Sequence, residues 1–414
     1  MNQDSQLALD VWLDGSVVAE LTMNRRRVPQ LRYRLEYVER RGEGALGLTI
    51  PLPVTSQPYR GDLVDHWIEG LLPEGETRTV LERYFRVRRG DGFGLLRAIG
   101  RDCAGAVAIL PPGQALGDPH RTPLPMTTDE VAEAVTSLRQ HPLGVDDETR
   151  VSLGGLQSKL LLVQTPDGWA RPLSGFPSTH ILKPDPPEFP GLVAAEAFAQ
   201  RAAALAGLAA AECRLDSFGG RTVLVVKRFD RAERDGRLTR IHQEDGCQAL
   251  GVDPSLGKYQ ALDGAASYRK LAAVLQTYAA DGQDELRKLA ALMTFTIAIG
   301  NTDAHLRNHA FLHAGDTIRL APVFDAAPTA EFAGTRQLAL WIDDQSLLSI
   351  VTRGHLLHEA IAWGLPEDAA GHVIETTLSS LADAYPEAAA SVPRVPTAMV
   401  AACARRTTRL LRQS

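Results

Sequence analysis

Cysteine is scarce: Cys103, Cys213, Cys247 and Cys403 lie far apart, without the paired spacing of zinc sites or small disulfide scaffolds. A reducing cytosol suits such a chain. Long apolar runs are missing too. The longest, Leu289 to Gly300, falls short of the roughly 20 residues that span a bilayer. Asp4, Asp10 and Asp14 stand where a signal peptide needs a basic start. These absences predict a soluble, cytoplasmic protein with no membrane partner. Positive charge is not in excess, since the net charge is -6. The chain therefore lacks the global basic field that supports binding to nucleic acid, and contact with DNA calls for a partner. No Gly-x-Ser-x-Gly elbow and no dinucleotide fingerprint occurs, which removes hydrolase and dehydrogenase readings. No His-Glu-x-x-His zinc motif occurs, aromatic residues are only 6% and scattered, and no repeat of fixed period is present.

What is present is an average soluble composition, 44% hydrophobic and 23% charged, over 414 residues. That is too long for one comfortable core, so two or three packed units are expected. Residues 7 to 50 alternate apolar and polar positions, including Leu7 to Leu13 and Tyr33 to Tyr37, with Asp14-Gly15 as a hairpin signal. From Asp62 to Ala98 apolar residues fall at helical spacing, broken at Pro73-Glu74-Gly75. Residues 111 to 126, rich in Pro and Gly, read as a connection without regular structure. Thr127 to Glu130 reads as a capping box. Leu160 to Val163, His180 to Leu182 and Thr222 to Val226 read as strands of a mixed sheet, with an alanine-rich helix from Gly191 to Leu208. Beyond about residue 258 the chain reads as helices over 265–278, 285–299, 354–363, 367–384 and 396–411, interrupted by a polar segment from Gly300 to Asp325. The expected units are 1–110, β-rich with helices; 111–257, mixed α/β; and 258–414, mainly helical.

The chemistry concentrates in that interruption. In Gly300-Asn301-Thr302-Asp303-Ala304-His305-Leu306-Arg307-Asn308, Asp303 and Asn308 stand five apart. Kinase catalytic loops use this spacing to place a carboxylate near the substrate hydroxyl and an amide oxygen on a metal. Asp325, after the apolar run that ends in Phe324, supplies a second metal ligand, and Phe324 joins the nucleotide-binding candidates. The plainer reading is that Asp303 and Asn308 cap or brace a turn. His305 is a candidate for ordering this loop. Ser152-Leu153-Gly154-Gly155-Leu156-Gln157-Ser158-Lys159 is a glycine turn whose backbone N–H groups can cradle phosphates, although a Gly-Gly hairpin accounts for the same residues. Lys183 closes an apolar strand and Glu196 lies in the following helix among alanines. Their ion pair would reproduce the arrangement by which kinases position ATP, and a solvated strand end is the alternative for Lys183. Gln243, Glu244 and Asp245 fall where the adenine-binding connector of a two-lobed kinase lies, and a plain turn explains them nearly as well.

In order and wording these segments resemble the HipA-type toxin kinases over nearly the whole chain. Ile99 to Ala106, Ser152 to Lys159, His180 to Pro184, Lys227 to Arg231, Gln243 to Gly251 and Gly300 to Asn308 carry the resemblance. It implies an α+β, two-lobed protein-kinase-like fold with a small β-rich N-terminal subdomain and a mainly helical C-terminal lobe. It further implies ATP and Mg2+ as cofactors, Lys183 as the ATP-phosphate lysine, Asp303 as the catalytic aspartate, and Asn308 and Asp325 as magnesium ligands. Arg307, placed with the catalytic residues, stands where many relatives are expected to carry lysine, and the two are not equivalent at a phosphate. Ser152 resembles a serine that family members autophosphorylate to switch themselves off. The implied substrate is an aminoacyl-tRNA synthetase, glutamyl-tRNA synthetase first. The implied partner is a small helix-turn-helix antitoxin, HipB, through which DNA is reached. A catalytically silent scaffold for that antitoxin, or a small-molecule or lipid kinase, are the competing functions.

Overall fold

The computed structural model describes residues 8–116, 122–145, 149–155, 157–173, 176–262, 264–332, 334 and 336–413. The opening alternation folds as an antiparallel sheet in the order Tyr59–Arg60, Pro29–Tyr33, Ser16–Met23, Ala8–Leu13, Val107–Leu110. Asp14 and Gly15 make its first hairpin with φ of 49° and 77°, the pair of positive angles that a tight two-residue turn requires. The alternation does not continue to Tyr37 as a strand. A helix, Leu35–Arg41, begins there because Tyr37 and Val38 turn together into the core while Leu35 is left exposed, which is helical rather than pleated placement. The helices Asp62–Gly70, Gly75–Tyr84 and Gly92–Ile99 cover one face of this sheet through Val64, Trp67, Ile68, Leu81, Leu95 and Leu96.

A second sheet runs Cys213–Phe218, Arg221–Lys227, His180–Pro184, Leu160–Thr165, Gly168–Arg171, Leu124–Met126. All its pairings are antiparallel, not mixed, since tight turns such as Gly219-Gly220 join neighbouring strands directly. Leu124–Met126 is a strand despite its Pro125. It sits on the sheet edge, where a missing N–H costs no ladder bond. The helix Leu192–Leu205 packs its alanine faces between this sheet and the C-terminal helices.

The remainder is built on Gly282–Ile299, with Tyr268–Tyr278, Arg353–Ala362, Glu367–Ser391 and Thr397–Arg412 around it. Glu367–Ser391 runs past the expected end at Ala384 and through Pro386, because Tyr385 and Ala388 continue its buried stripe. A three-stranded sheet, Gln243–Asp245, Ala310–Ala314 and Thr317–Leu320, takes its last two strands from the polar segment itself.

Two of the sequence segments meet in a buried charge network. Asp102 and Asp230 face Arg228, Arg231 and Arg240, at 2.7 Å for Arg228–Asp230 and 2.8 Å for Arg231–Asp102. Gly105 N–H donates to Asp230 at 2.8 Å, fastening the end of the first sheet to the chain that follows the second. Burying these charges costs desolvation that their mutual attraction must offset, whereas removing one partner alone would leave an uncompensated buried charge.

Candidate active site

The helix Gly282–Ile299 is buried almost all round toward its C-terminal end and stops at Gly300, whose φ of 74° is left-handed. That angle favours glycine, and a Cβ there would also come within 2.5 Å of the Arg406 guanidinium and make that side chain shift. The chain then turns through Asn301, whose Oδ1 accepts from the Asp303 N–H at 3.1 Å, and Asn308 Nδ2 donates to the Asp303 carbonyl at 2.8 Å. Backbone groups thus brace the loop. The Asp303 carboxylate is left at the surface and, among the described residues, accepts one side-chain hydrogen bond, from the Tyr259 hydroxyl at 3.0 Å. Although the residue's surface is exposed, the protein around it displaces enough water, with Asp325 nearby, to push its carboxyl up to about 6.

Lys183 stands at the end of its strand with its ammonium between two carboxylates, Glu196 at 2.7 Å and Asp325 at 2.6 Å. The strand–helix ion pair is formed, and it reaches the second candidate metal ligand as well. Asp325 adopts φ of 52°, a left-handed angle that aspartate tolerates better than most residues. Burial opposes its ionisation, but Lys183 and Lys159 outweigh that and hold the carboxyl at about 2. Its side chain is 45% exposed, so the ionised group still meets solvent. With Nδ2 occupied, Asn308 keeps its amide oxygen for another partner. A carboxylate and an amide oxygen are hard donors that fit Mg2+ arriving with its nucleotide.

The glycine turn lies over two cations. A Cβ at Gly154 would overlap the Arg307 guanidinium, and one at Gly155, where φ is 105°, would sit 2.7 Å from Lys159 Nζ. Lys159 is buried, donates to the Gly154 carbonyl at 2.5 Å and forms no ion pair among the described residues. Burial and Lys183 lower its ammonium to about 8. Gln157 Nε2 reaches the Pro184 carbonyl at 3.4 Å, and Ser158 is half-buried beside it. Leu156 lies outside the described residues.

Several candidates sit elsewhere than expected. Ser152 does not reach the surface: it is fully buried, its hydroxyl donating to the Leu71 carbonyl at 2.6 Å and its N–H to the Asp102 carbonyl at 2.9 Å. The connector residues are occupied by the fold. Buried Glu244 takes the Thr49 hydroxyl, the Ile50 N–H and His313 Nε2 at 2.7 Å. Asp245 caps the helix Gly246–Leu250 and pairs with Arg307, and Gln243 Nε2 leans on Asp230 at 3.4 Å. Among the described residues, both oxygens of Glu244 and of Asp245 are thus engaged within the protein, whereas Gln243 Oε1 is buried without a hydrogen-bond partner. Phe324 packs on Phe229, ring centroids 5.2 Å apart, at the meeting of two small apolar clusters.

Arg307 is not aimed at the reacting atoms either. Its guanidinium is spent on Glu74, on Asp245 at 3.1 Å and on the Gly70 carbonyl at 2.8 Å. His305 is buried under the loop, edge-on to Tyr259 at 5.2 Å, and burial together with Lys258 drives its imidazole down to about 3. The ring is therefore neutral, and its buried Nδ1 finds no hydrogen-bond partner among the described residues. Sequence reasoning missed Glu74, Lys258 and Tyr259. Lys258 pairs with Glu74 at 2.6 Å, and its carbonyl accepts from the Leu306 N–H at 3.1 Å. A helix break at Pro73-Glu74-Gly75 was the only signal that the first of them had a special place.

With the geometry in hand, the chain compares as follows. Residues 9–110 match the HipA N-terminal domain and residues 151–385 the HipA-like C-terminal domain. The Sinorhizobium fredii protein Y4mE is 35% identical over 330 residues, covering 78% of each chain. The serine/threonine-protein kinase toxin HipA of Shewanella oneidensis is 30% identical over 361 residues, covering 84% of this chain and 80% of that one. A solved complex of Shewanella oneidensis HipA, HipB and operator DNA superposes with a TM-score of 0.80 at 26% identity, over 97% of this chain and 96% of its HipA chain. A likeness of that extent establishes the two-lobed, kinase-like α+β fold. The chain belongs to the HipA family and is a protein kinase.

Proposed function

We propose that this kinase is the toxin of a toxin–antitoxin pair, transferring the γ-phosphoryl group of Mg-ATP to a serine or threonine of an aminoacyl-tRNA synthetase, glutamyl-tRNA synthetase first. One observation carries the chemistry: Lys183 joins Glu196 to Asp325, and Asp325 lies near enough to Asp303 to raise its carboxyl, with Asn308 hydrogen-bonded to the Asp303 backbone. In this reading residues 111–257 and 258–414 form the two lobes. Asp303 accepts the proton of the acceptor hydroxyl as its oxygen bonds to the γ-phosphorus and the bond to the ADP oxygen breaks. Lys183 and Lys159 offset the phosphate charge, and the backbone of Gly154 and Gly155 receives the phosphates. Asn308 and Asp325 would hold Mg2+, which supplies charge neutralisation on the phosphates when bound. The family relationship supports the synthetase as substrate. The HipB in the Shewanella complex supports a HipB-like helix-turn-helix antitoxin, and a net charge of -6 suits a chain that reaches DNA through it. We place the protein in the cytoplasm, where such a substrate resides; no helix of the described residues is long and apolar enough to cross a membrane.

The test is incubation of the purified chain and its Asp325→Asn variant with Mg-ATP and a panel of synthetases, followed by phosphosite mass spectrometry. Phosphate should appear on serine or threonine of a synthetase with the wild type, and should be lost with the variant or on adding EDTA. A folded, ATP-binding wild type that labels no protein would turn the reading toward a silent antitoxin scaffold or a small-molecule kinase.

Ser152 enters this reading as an autophosphorylation site. With its hydroxyl donated to Leu71 inside the protein, it can accept phosphate only after the turn leaves its seat. A dianion cannot return to that pocket, so the modified turn stays out and the kinase stays off. Chain carrying phosphate on Ser152 is expected to show faster amide hydrogen exchange over residues 151–155 and to have lost transfer activity. Unchanged exchange in the phosphorylated form would contradict this.

A further inference from the structure

Asp303 owes its place in the loop to backbone hydrogen bonds, which leave the carboxylate free to turn about its own side-chain axis. One contact limits that rotation, the Tyr259 hydroxyl on Oδ1 at 3.0 Å, and Oδ2 takes no hydrogen bond among the described residues. Tyr259 is itself firmly seated. On one side Lys258 is fixed by Glu74 and by the Leu306 N–H, and its ammonium lies over the tyrosine ring at 5.5 Å. On the other side the Gln260 N–H donates to the Ala339 carbonyl at 2.9 Å, and its Oε1 accepts from the Trp341 N–H at 2.8 Å. The His305 ring closes edge-on at 5.2 Å. A phenol anchored from both flanks and pointed at a carboxylate is more than is needed to fill space.

We propose that Tyr259 is a positioning residue for phosphoryl transfer, its hydroxyl holding Oδ1 of Asp303 so that Oδ2 faces the acceptor hydroxyl. This rests on the reading of Asp303 as the proton acceptor. The reacting oxygen must be oriented as well as near, and misplacement by about an ångström costs roughly 10²-fold in rate. Loss of one orienting hydrogen bond, with the ring still in place, should cost less.

The experiment compares wild type, Tyr259→Phe, Asp303→Asn and the double variant in single-turnover transfer to an acceptor protein, with KM for ATP and acceptor measured alongside. Phenylalanine keeps the ring between Lys258 and His305, so the fold is retained, which a thermal melt checks. Tyr259→Phe is expected to lower kcat about 10-fold with both KM values unchanged, and to add little in the Asp303→Asn background. An unchanged kcat, a loss carried by KM, or the same fractional loss in both backgrounds would overturn the proposal. A wild type that transfers no phosphate to any protein would instead sink the reading of Asp303, and with it the part given to Tyr259.

Discussion

Asp303→Asn is expected to lower the phosphoryl-transfer rate by roughly 10²- to 10⁴-fold, the usual worth of a general base. ATP affinity and melting temperature should stay where they are. The structure makes this substitution a clean one. The Asp303 N–H and carbonyl brace the loop, and both survive in asparagine. Among the described residues the side chain takes one hydrogen bond, from Tyr259, which an amide oxygen also accepts. What asparagine cannot do is take up a proton. The plainer role first open to this residue, bracing a turn through its side chain, predicts a different pattern: loss of stability with activity falling only as the fold is lost. Steady-state ADP release and a thermal melt on the same preparation separate the two.

Removing Arg307 is expected to do the reverse, costing stability first. Its guanidinium is buried, with its side chain 6% exposed, and answers Glu74, Asp245 and the Gly70 carbonyl in three directions. Arg307→Met fills similar space and leaves the Asp245 carboxylate and the Gly70 carbonyl without their partner. Breaking a buried pair from one side costs roughly 3–5 kcal/mol. Here the lower end applies, about 3 kcal/mol, because Glu74 keeps Lys258 and both carboxylates retain some solvent. Arg307→Lys should recover only part, since an ammonium cannot serve three acceptors that a planar fork reaches. Denaturant unfolding of the three forms checks the order wild type, lysine, methionine. A methionine variant as stable as wild type would show that this network is not a tie between the segment 70–74 and the catalytic loop.

Arg307 also shows where reading a sequence stops. Its partners Glu74 and Gly70 lie 233 and 237 residues away, and no local pattern announces them. Glu244 is the same case: as one of three polar residues after a strand it reads as a nucleotide connector, yet its partners Thr49 and Ile50 are almost 200 residues upstream. Features whose physics is local were legible. Asp14-Gly15 needs its two positive φ angles wherever it stands, the capping box at Thr127 and Glu130 is closed within four residues, and the polar segment after Gly300 is set off by a buried helix. The Lys183–Glu196 pair was within reach because a strand end and the next helix are close in chain as well as in space. Tyr33 to Tyr37 failed for a subtler reason. Three alternating apolar residues fit a strand and one helical turn about equally, and only the burial of Val38 with Tyr37 decides between them. For the site, the loop carrying Asp303 and Asn308 stood out in the sequence, whereas the residues that hold it, Glu74, Lys258 and Tyr259, did not.

The most direct test of the central claim, that the cleft between Lys183, Asp325 and Asp303 transfers phosphate to protein, is phosphosite mass spectrometry after incubation with Mg-ATP and glutamyl-tRNA synthetase. Wild type and Asp303→Asn are run side by side from chains first shown to be unphosphorylated. Phosphoserine or phosphothreonine formed by the wild type, on the synthetase or on Ser152, and absent with the variant is the result this account predicts. Equal labelling by both forms, or labelling by neither while ATP is bound, would contradict it.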